Sequence, residues 1–458
     1  MVDTPVFRSL NPATEEVLAE RQAMSQGQIE DALAAAHGAF LHNSRQPFSW
    51  RSERMLALAD GLRRGSDELA ALITAEMGKP IGEARVEVEK CAVTCQYFAQ
   101  QAEHFLRAEP MPSDSPRSFI AYRPLGVVLA IMPWNFPLWQ VIRFAAPALM
   151  AGNTGLLKHA PTTFGAALEL ERLVLEAGFP EGSLKSIISG TEPVEALIAD
   201  RRVRAVTLTG SDRAGAAVAQ LAGRELKRCV LELGGSDFFL VLRDADLERA
   251  AETGVRARFQ NAGQSCIAAK RFLVHRAVVD EYLERFRAHA EALVMGDPSK
   301  PEVRLGPLAR ADLRRHLHDQ VRRSVSEGAR VLLGAEPVEG VGFYYPASIL
   351  SGVTEEMPVF QEETFGPVAA FTSFTDDSEA LRLANHPKYG LGGNIWTADV
   401  EHGVALAAQL DTGGVFVNGM THSDARIPFG GVRRSGFGRE LSAIGIREFT
   451  NIQTVWQP

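Results

Sequence analysis

The run Val127-Val128-Leu129-Ala130-Ile131, the stretch 138–151 and the run Thr154-Gly155-Leu156-Leu157-Lys158 together decide the architecture. Two short, almost wholly apolar runs flank a segment of helical length. Runs of this kind read as strands buried on both faces, with the segment between them as the crossing helix. The alternation continues downstream. A helix across 165–177 leads to strand 184–188, helix 194–199, strand 203–208 and helix 213–222. Strands alternating with helices of this length predict βαβ units and a parallel sheet. From Phe238 a second block follows, with strands at 238–242, 271–274, 368–374 and 392–396 and helices at 247–259 and 279–294. Two successive α/β blocks predict two lobes with a ligand cleft between them.

Upstream of the first block, residues 7–23 read as one or two strands around a turn at Asn11-Pro12. Residues 25–101 read as helices, opening on a capping box of Ser25 and Gln28 and broken at Gly78-Lys79-Pro80. The Pro/Ser-rich segment 111–116 is a connection. Ser118–Arg123 and Phe449–Val455 read as extended pieces without a local partner, and unpaired edges invite pairing with another chain.

A chain of 458 residues exceeds the ~250–300 that one core serves, so two or three domains are expected. The net charge of −8 argues against a nucleic-acid partner, and Arg201-Arg202-Val203-Arg204 and Arg433-Arg434 read as solvated surface. The four cysteines, Cys91, Cys95, Cys229 and Cys266, form no CxxC pair. That argues against a disulfide scaffold and against a zinc site, so no metal is expected. Cys91 and Cys95 fall on one helix face and read as packing. Met1–Leu10 lacks the pattern of a signal peptide. The longest apolar stretch, Phe144–Leu157, is interrupted by Gly152, Asn153 and Gly155 and is too short to cross a bilayer. A cytoplasmic, reduced protein is expected.

Two stretches carry chemistry. Gln260-Asn261-Ala262-Gly263-Gln264-Ser265-Cys266 is a loop-like run that ends on a thiol. Val230-Leu231-Glu232-Leu233-Gly234-Gly235 is an apolar run with one carboxylate. A nucleophilic thiol needs a neighbour that handles protons and water, and Glu232 at a strand end suits that task; the alternative is an ordinary buried cysteine. No GxGxxG motif stands in the right place. Thr209-Gly210-Ser211-Asp212-Arg213-Ala214-Gly215 lies instead between a strand and a helix, where Ser211 and the helix N-terminal amides suit a phosphate. A plain strand-to-helix turn is the other reading.

Taken together with Pro133-Trp134-Asn135-Phe136-Pro137, Lys158, Glu362-Glu363-Thr364-Phe365-Gly366-Pro367, Phe429-Gly430-Gly431 and Ser435-Gly436, these stretches resemble the aldehyde dehydrogenase superfamily over nearly the whole chain. Lys158-His159-Ala160-Pro161, Leu233-Gly234-Gly235-Ser236-Asp237 and the ending Asn451-Ile452-Gln453-Thr454-Val455-Trp456 resemble its bacterial succinate-semialdehyde branch. The resemblance implies an α/β fold of two Rossmann-like lobes plus a small β oligomerisation extension. The implied boundaries are 1–113 and 127–232 for the cofactor domain, 233–430 for the catalytic domain, and 114–126 with 431–458 for the extension. It implies a homodimer or homotetramer acting on a small aldehyde, with no nucleic-acid or membrane partner.

The implied mechanism starts with attack of the Cys266 thiolate on the aldehyde carbon. Asn135 and the Cys266 backbone N–H receive the oxyanion, and Glu232 activates the water that hydrolyses the thioester. Trp134, Lys158, Gly210, Ser211, Gly215, Leu233, Gly234, Glu363 and Phe365 would hold the dinucleotide. NAD is expected first and NADP tolerated, because Pro161 stands where NAD-preferring relatives carry a Glu; His159 would be neutral to favourable toward a 2′-phosphate. Arg143 would anchor the substrate carboxylate. Gln260 occupies the place of a second Arg in related enzymes, and Ser423 and Arg426 are the candidate replacements. A CoA-acylating dehydrogenase is disfavoured by Glu232. A dehydrogenase for glutarate semialdehyde or a broad range of aldehydes, and a non-catalytic relative, remain as alternatives.

Overall fold

The computed structural model describes residues 5–458; residues 1–4, which begin the Met1–Leu10 segment, lie outside the described residues. The chain starts with an antiparallel hairpin of Val6–Leu10 and Val17–Gln22. Four helices follow, Gln26–Asn43, Phe48–Arg64, Ser66–Met77 and Ile81–Phe105. The capping box forms as expected: the Gln28 N–H donates to Ser25 Oγ at 3.2 Å, and the Ser25 N–H donates to Gln28 Oε1 at 2.9 Å. The break falls at Gly78, whose φ of +80° ends the third helix in a left-handed cap. Cys91 and Cys95 are fully buried in the first core, as packing residues.

The first lobe is built on a six-stranded sheet in the order Gly436–Phe437, Arg228–Glu232, Val203–Thr209, Val127–Met132, Thr154–His159, Leu184–Ser186. All pairings are parallel except that of Gly436–Phe437. From Val127–Met132 the next two strands in the chain step outward in one direction, and the two after them start again on its other side. Where strand order reverses in this way, successive connections leave on opposite faces and open a crevice at the carboxyl ends of the strands. The turns Pro133-Trp134-Asn135 and Gly210-Ser211 therefore lie on that rim.

The second lobe has seven strands, in the order Arg330–Leu333, Ser348–Ser351, Val368–Phe374, Ala269–His275, Asp237–Val241, Gly392–Trp396, Gly414–Val417. Only Arg330–Leu333 runs antiparallel. Its core is aromatic: Phe272 stacks on Phe371 at 4.9 Å and meets Phe286 edge-on at 4.8 Å. No helix among the described residues is long and apolar enough to cross a membrane.

Two features mark the expected extension. Arg117–Pro124 and Thr450–Gln457 are partners of each other, antiparallel from Pro124↔Thr450 to Arg117↔Gln457, with Glu109–Pro110 on the inner side. Each looked unpartnered in sequence because its complement lies more than 300 residues away. Segment 431–458 also divides. Gly436–Phe437 pairs with Leu231 and Glu232 and belongs to the first-lobe sheet.

Candidate active site

The loop bearing Cys266 leaves helix Leu247–Phe259 through three successive left-handed residues, Asn261 at φ +54°, Ala262 at +52° and Gly263 at +72°. A non-glycine residue in this region costs ~1–2 kcal/mol, so the surroundings must hold the turn. The Asn261 N–H donates to Glu83 Oε2 at 2.7 Å, and its side-chain amide donates to the Asn135 carbonyl at 2.8 Å. Gln264 Oε1 accepts the Ala309 N–H at 2.9 Å. At Gly263 a Cβ would lie 2.5 Å from the Gly366 carbonyl oxygen. Beyond the thiol, buried Lys270 donates to the carbonyls of Ser265 at 3.0 Å and Cys266 at 2.7 Å. Sequence reasoning missed Lys270, because a lone lysine in an apolar strand carries no motif. Burial pushes the Cys266 thiol up to about 12, opposed by Arg143 and Lys270 and reinforced by Glu232 and Glu363.

Asn135 is fixed from beneath. Lys79 and Glu87 form a buried ion pair, and Lys79 donates to the Asn135 carbonyl at 3.0 Å. Glu87 Oε1 accepts the N–H groups of Leu138 and Trp139, each at 3.0 Å, and so caps the helix that starts at Trp139. One side-chain N–H of Asn135 donates to the Gln264 carbonyl at 3.0 Å. An amide carries two such hydrogens, so the second is available to an oxyanion.

Glu232 ends strand Arg228–Glu232 and is 2% exposed, with neither carboxylate oxygen hydrogen-bonded. Burial raises its pKa well above the usual carboxylate range, and Glu440 adds to the effect while Arg143 and Arg439 oppose it. A carboxyl poised near neutrality is what a general base requires.

Two cavities meet at Cys266. One, of about 430 Å³, is bordered by Trp134, Asn135, Gly210, Ser211, Glu232, Leu233, Gly234, Glu363 and Phe365 as well as the thiol. It opens at the strand-order reversal, and the features of a dinucleotide site converge there. The Ser211 hydroxyl accepts the Ala214 N–H at 3.2 Å and caps helix Asp212–Arg224, whose first turn faces the crevice rim. Glu363 Oε1 accepts the Gly235 N–H at 3.0 Å, and a Cβ on Gly234 would lie 2.4 Å from Glu363 Oε2. The absence of a side chain at Gly234 is what keeps that wall open. Trp134 and Phe365 meet edge-on at 5.7 Å.

Lys158 and Gly215 do not border this cavity. Lys158 is the penultimate residue of strand Thr154–His159, next to the reversal, and burial lowers its pKa while Glu192 raises it. Gly215 lets its helix sit on Leu233, where a Cβ would come within 2.5 Å. His159 does not fit the expectation of a phosphate neighbour. It is buried between the Pro137 carbonyl and the Thr163 hydroxyl, both at 3.0 Å, and burial lowers its pKa to about 4, so it is neutral.

The second cavity, of about 650 Å³, is bordered by Cys266, Arg143, Gln260 and Ser423. Arg143 is not a free anchor, however. It is ion-paired with Glu440, both side chains being buried, and donates to Thr209 Oγ1 at 3.2 Å. Arg426 is not on the cavity wall; its side chain is 74% exposed and pairs with Asp424 at 2.6 Å. The short spacing from Asp424 lets the two neighbours satisfy each other instead.

Cys266, Asn135 and Glu232 thus border one cleft, and Cys266 also borders the second cavity. Comparison with known proteins agrees. The chain is 49% identical, over 98% of its length and 97% of the relative, to succinate semialdehyde dehydrogenase [NAD(P)+] Sad of Escherichia coli (strain K12). It is 47% identical, over 98% and 99%, to a probable succinate-semialdehyde dehydrogenase [NADP(+)] of Synechocystis sp. (strain ATCC 27184 / PCC 6803 / Kazusa). The crystal structure of succinic semialdehyde dehydrogenase from Streptococcus pyogenes in complex with NADP+ superimposes with a TM-score of 0.97 at 37% identity, covering 99% of this chain and 100% of that one. The sequence profile of the aldehyde dehydrogenase family matches residues 2–455, and the chain belongs to that family, as an NAD(P)-dependent oxidoreductase.

Proposed function

We propose that this protein oxidises succinate semialdehyde to succinate at Cys266. The observation that carries the reading is the position of Cys266, shared by the dinucleotide-shaped cleft and the cavity bordered by Arg143, Gln260 and Ser423. The names of the relatives at 47% and 49% identity support the same substrate.

The geometry supports the roles that the resemblance implies. The Cys266 sulfur attacks the aldehyde carbon, and the resulting oxyanion takes the second N–H of Asn135 and the backbone N–H of Cys266. Such donors contribute ~2.7–4 kcal/mol each in a dry site. A dinucleotide held in the cleft would supply the hydride acceptor that the oxidation needs. Glu232 then takes a proton from the water that cleaves the thioester on Cys266, releasing the acid and restoring the thiol. Trp134, Gly210, Ser211, Leu233, Gly234, Glu363 and Phe365 would hold the dinucleotide in the cleft, and Lys158, outside the cavity wall, would reach its ribose. A hydrolytic base on this wall favours release to water over transfer to CoA.

The expectation of NAD first gives way to NADP first, with NAD accepted. The relatives are named for NADP(+) or NAD(P)+, and Pro161 leaves no carboxylate there to repel a 2′-phosphate. His159, being neutral and enclosed, does not contribute to the preference. The enzyme works in the cytoplasm as a homodimer or homotetramer, joined through the free edge of Thr450–Gln457. The test is kcat/KM for succinate semialdehyde, glutarate semialdehyde and butanal, each with NAD and NADP. Succinate semialdehyde with NADP is expected to rank first. Equal values for the semialdehydes and butanal would overturn the substrate assignment.

A further inference from the structure

The second cavity carries an imbalance of charge. Its wall includes Lys90, Arg143 and Arg256 and no Asp or Glu. Arg143 is neutralised from behind by Glu440, and Arg256 lies at an exposed position. Lys90 differs from both. Helix Ile81–Phe105 aims its ammonium into the cavity, where it donates to Ser423 Oγ at 2.7 Å and sits 4.1 Å above the centre of the Trp139 ring. Among the described residues no carboxylate forms an ion pair with it. Glu87, one turn away, is committed to Lys79 and the helix start, and Asp424 to Arg426. Burial, with Arg143, lowers the Lys90 pKa to about 8, while Cys91, Glu87 and Asp424 raise it.

A half-buried ammonium with one neutral hydroxyl and an aromatic face is under-compensated; charges drawn out of water are normally paired. The missing counter-ion is a carboxylate, and the cavity that offers it room also ends on the nucleophilic sulfur. We propose that Lys90, with the Ser423 hydroxyl beside it, binds the carboxylate at the far end of the substrate and selects ω-carboxylated aldehydes over neutral ones. Lys90 takes the part that the sequence assigned to Arg143, whose charge Glu440 already balances. Ser423 accepts from the ammonium and keeps its own O–H for a substrate oxygen. This rests on the proposed oxidation of a semialdehyde at Cys266.

The test compares wild type, Lys90→Met, Lys90→Arg and Ser423→Ala with succinate semialdehyde and with butanal under saturating NADP. In Lys90→Met the ratio of kcat/KM between semialdehyde and butanal is expected to fall roughly tenfold or more, the size of a lost hydrogen bond to a charged group. The loss should appear in KM. Lys90→Arg should recover most of it, and Ser423→Ala should lower the ratio less. In wild type the KM for the semialdehyde should rise as pH passes about 8, with no matching rise for butanal. That pH readout stands even if Lys90→Met fails to fold. An unchanged ratio in Lys90→Met, or equal losses on both substrates with no rescue by arginine, would overturn the assignment. A wild-type enzyme without preference for the semialdehyde would instead overturn the proposed substrate and leave the role of Lys90 without a premise.

Discussion

At the scale of the residue, the proposed reaction divides between the Cys266 sulfur and the Glu232 carboxylate. Cys266→Ser should abolish turnover while leaving nucleotide affinity intact, measured by quenching of protein fluorescence on titration with NADP. Glu232→Gln should acylate and then stall. The expected record is a burst of NADPH no larger than the enzyme concentration, followed by a steady rate at least ~100-fold below wild type, the range expected for a lost general base. The pH dependence has a definite sign. Burial raises both the Cys266 thiol and the Glu232 carboxyl, and in each the reactive form is the deprotonated one. Activity on a neutral aldehyde should therefore climb with pH from 6 to 9; a flat profile would mean that neither group titrates on the reaction path. Cys266, Glu232 and Asn135 are legible in the sequence because each sits in a motif of distinctive residues. Lys79, Lys90 and Lys270 are not. Lys79 and Lys90 act on the Asn135 carbonyl and the Ser423 hydroxyl, 56 and 333 residues away in the chain, and Lys270, although four residues from Cys266, stands in no motif of its own, so no local pattern announces them.

At the scale of the element, alternation of apolar runs and helices revealed both sheets. Helices Val194–Ala199 and Leu247–Phe259 and strands Val368–Phe374 and Gly392–Trp396 fall where the pattern placed them. Strands Arg330–Leu333 and Gly414–Val417 escaped, since both are four-residue edge strands without full burial and so lack a strong apolar signature. The left-handed run Asn261–Gly263 was foreseeable only at its glycine. Two of its three residues have side chains, and they are held there by Glu83, Gln264 and Asn135 rather than by local preference. Gly263→Ala should therefore cost more than the ~1 kcal/mol of an ordinary left-handed alanine, because its Cβ also meets the Gly366 carbonyl. Thermal unfolding should show the loss, and the rate of Cys266 alkylation should change with it. Breaking the buried Lys79–Glu87 pair by Glu87→Gln should destabilise the protein by ~3–5 kcal/mol, measured by urea denaturation; a loss below ~1 kcal/mol would mean the pair is incidental.

At the scale of the whole molecule, the chain doubles back. Its last strand pairs with Arg117–Pro124, and its outer edge presents Ile452 and Trp456 at 54% and 56% exposure. An uncovered strand edge with apolar projections is a liability in a lone protomer. Ile452→Lys together with Trp456→Lys should shift the mass found by light scattering toward the monomer if this edge joins subunits, whereas an unchanged mass would place the contact elsewhere. The pairing of Gly436–Phe437 with Leu231 and Glu232 has a separate consequence. The strand that carries the Glu232 carboxylate is completed by residues encoded some 200 positions later, and the Cys266 sulfur belongs to the opposite lobe. A gene divided near residue 235 would encode two polypeptides, the first with its six-stranded sheet short of an edge strand and without Cys266, the second with its own seven strands complete but without Asn135 and Glu232. Mixed together, they should regain activity at a rate that depends on the product of their concentrations, each fragment serving as the folding template of the other.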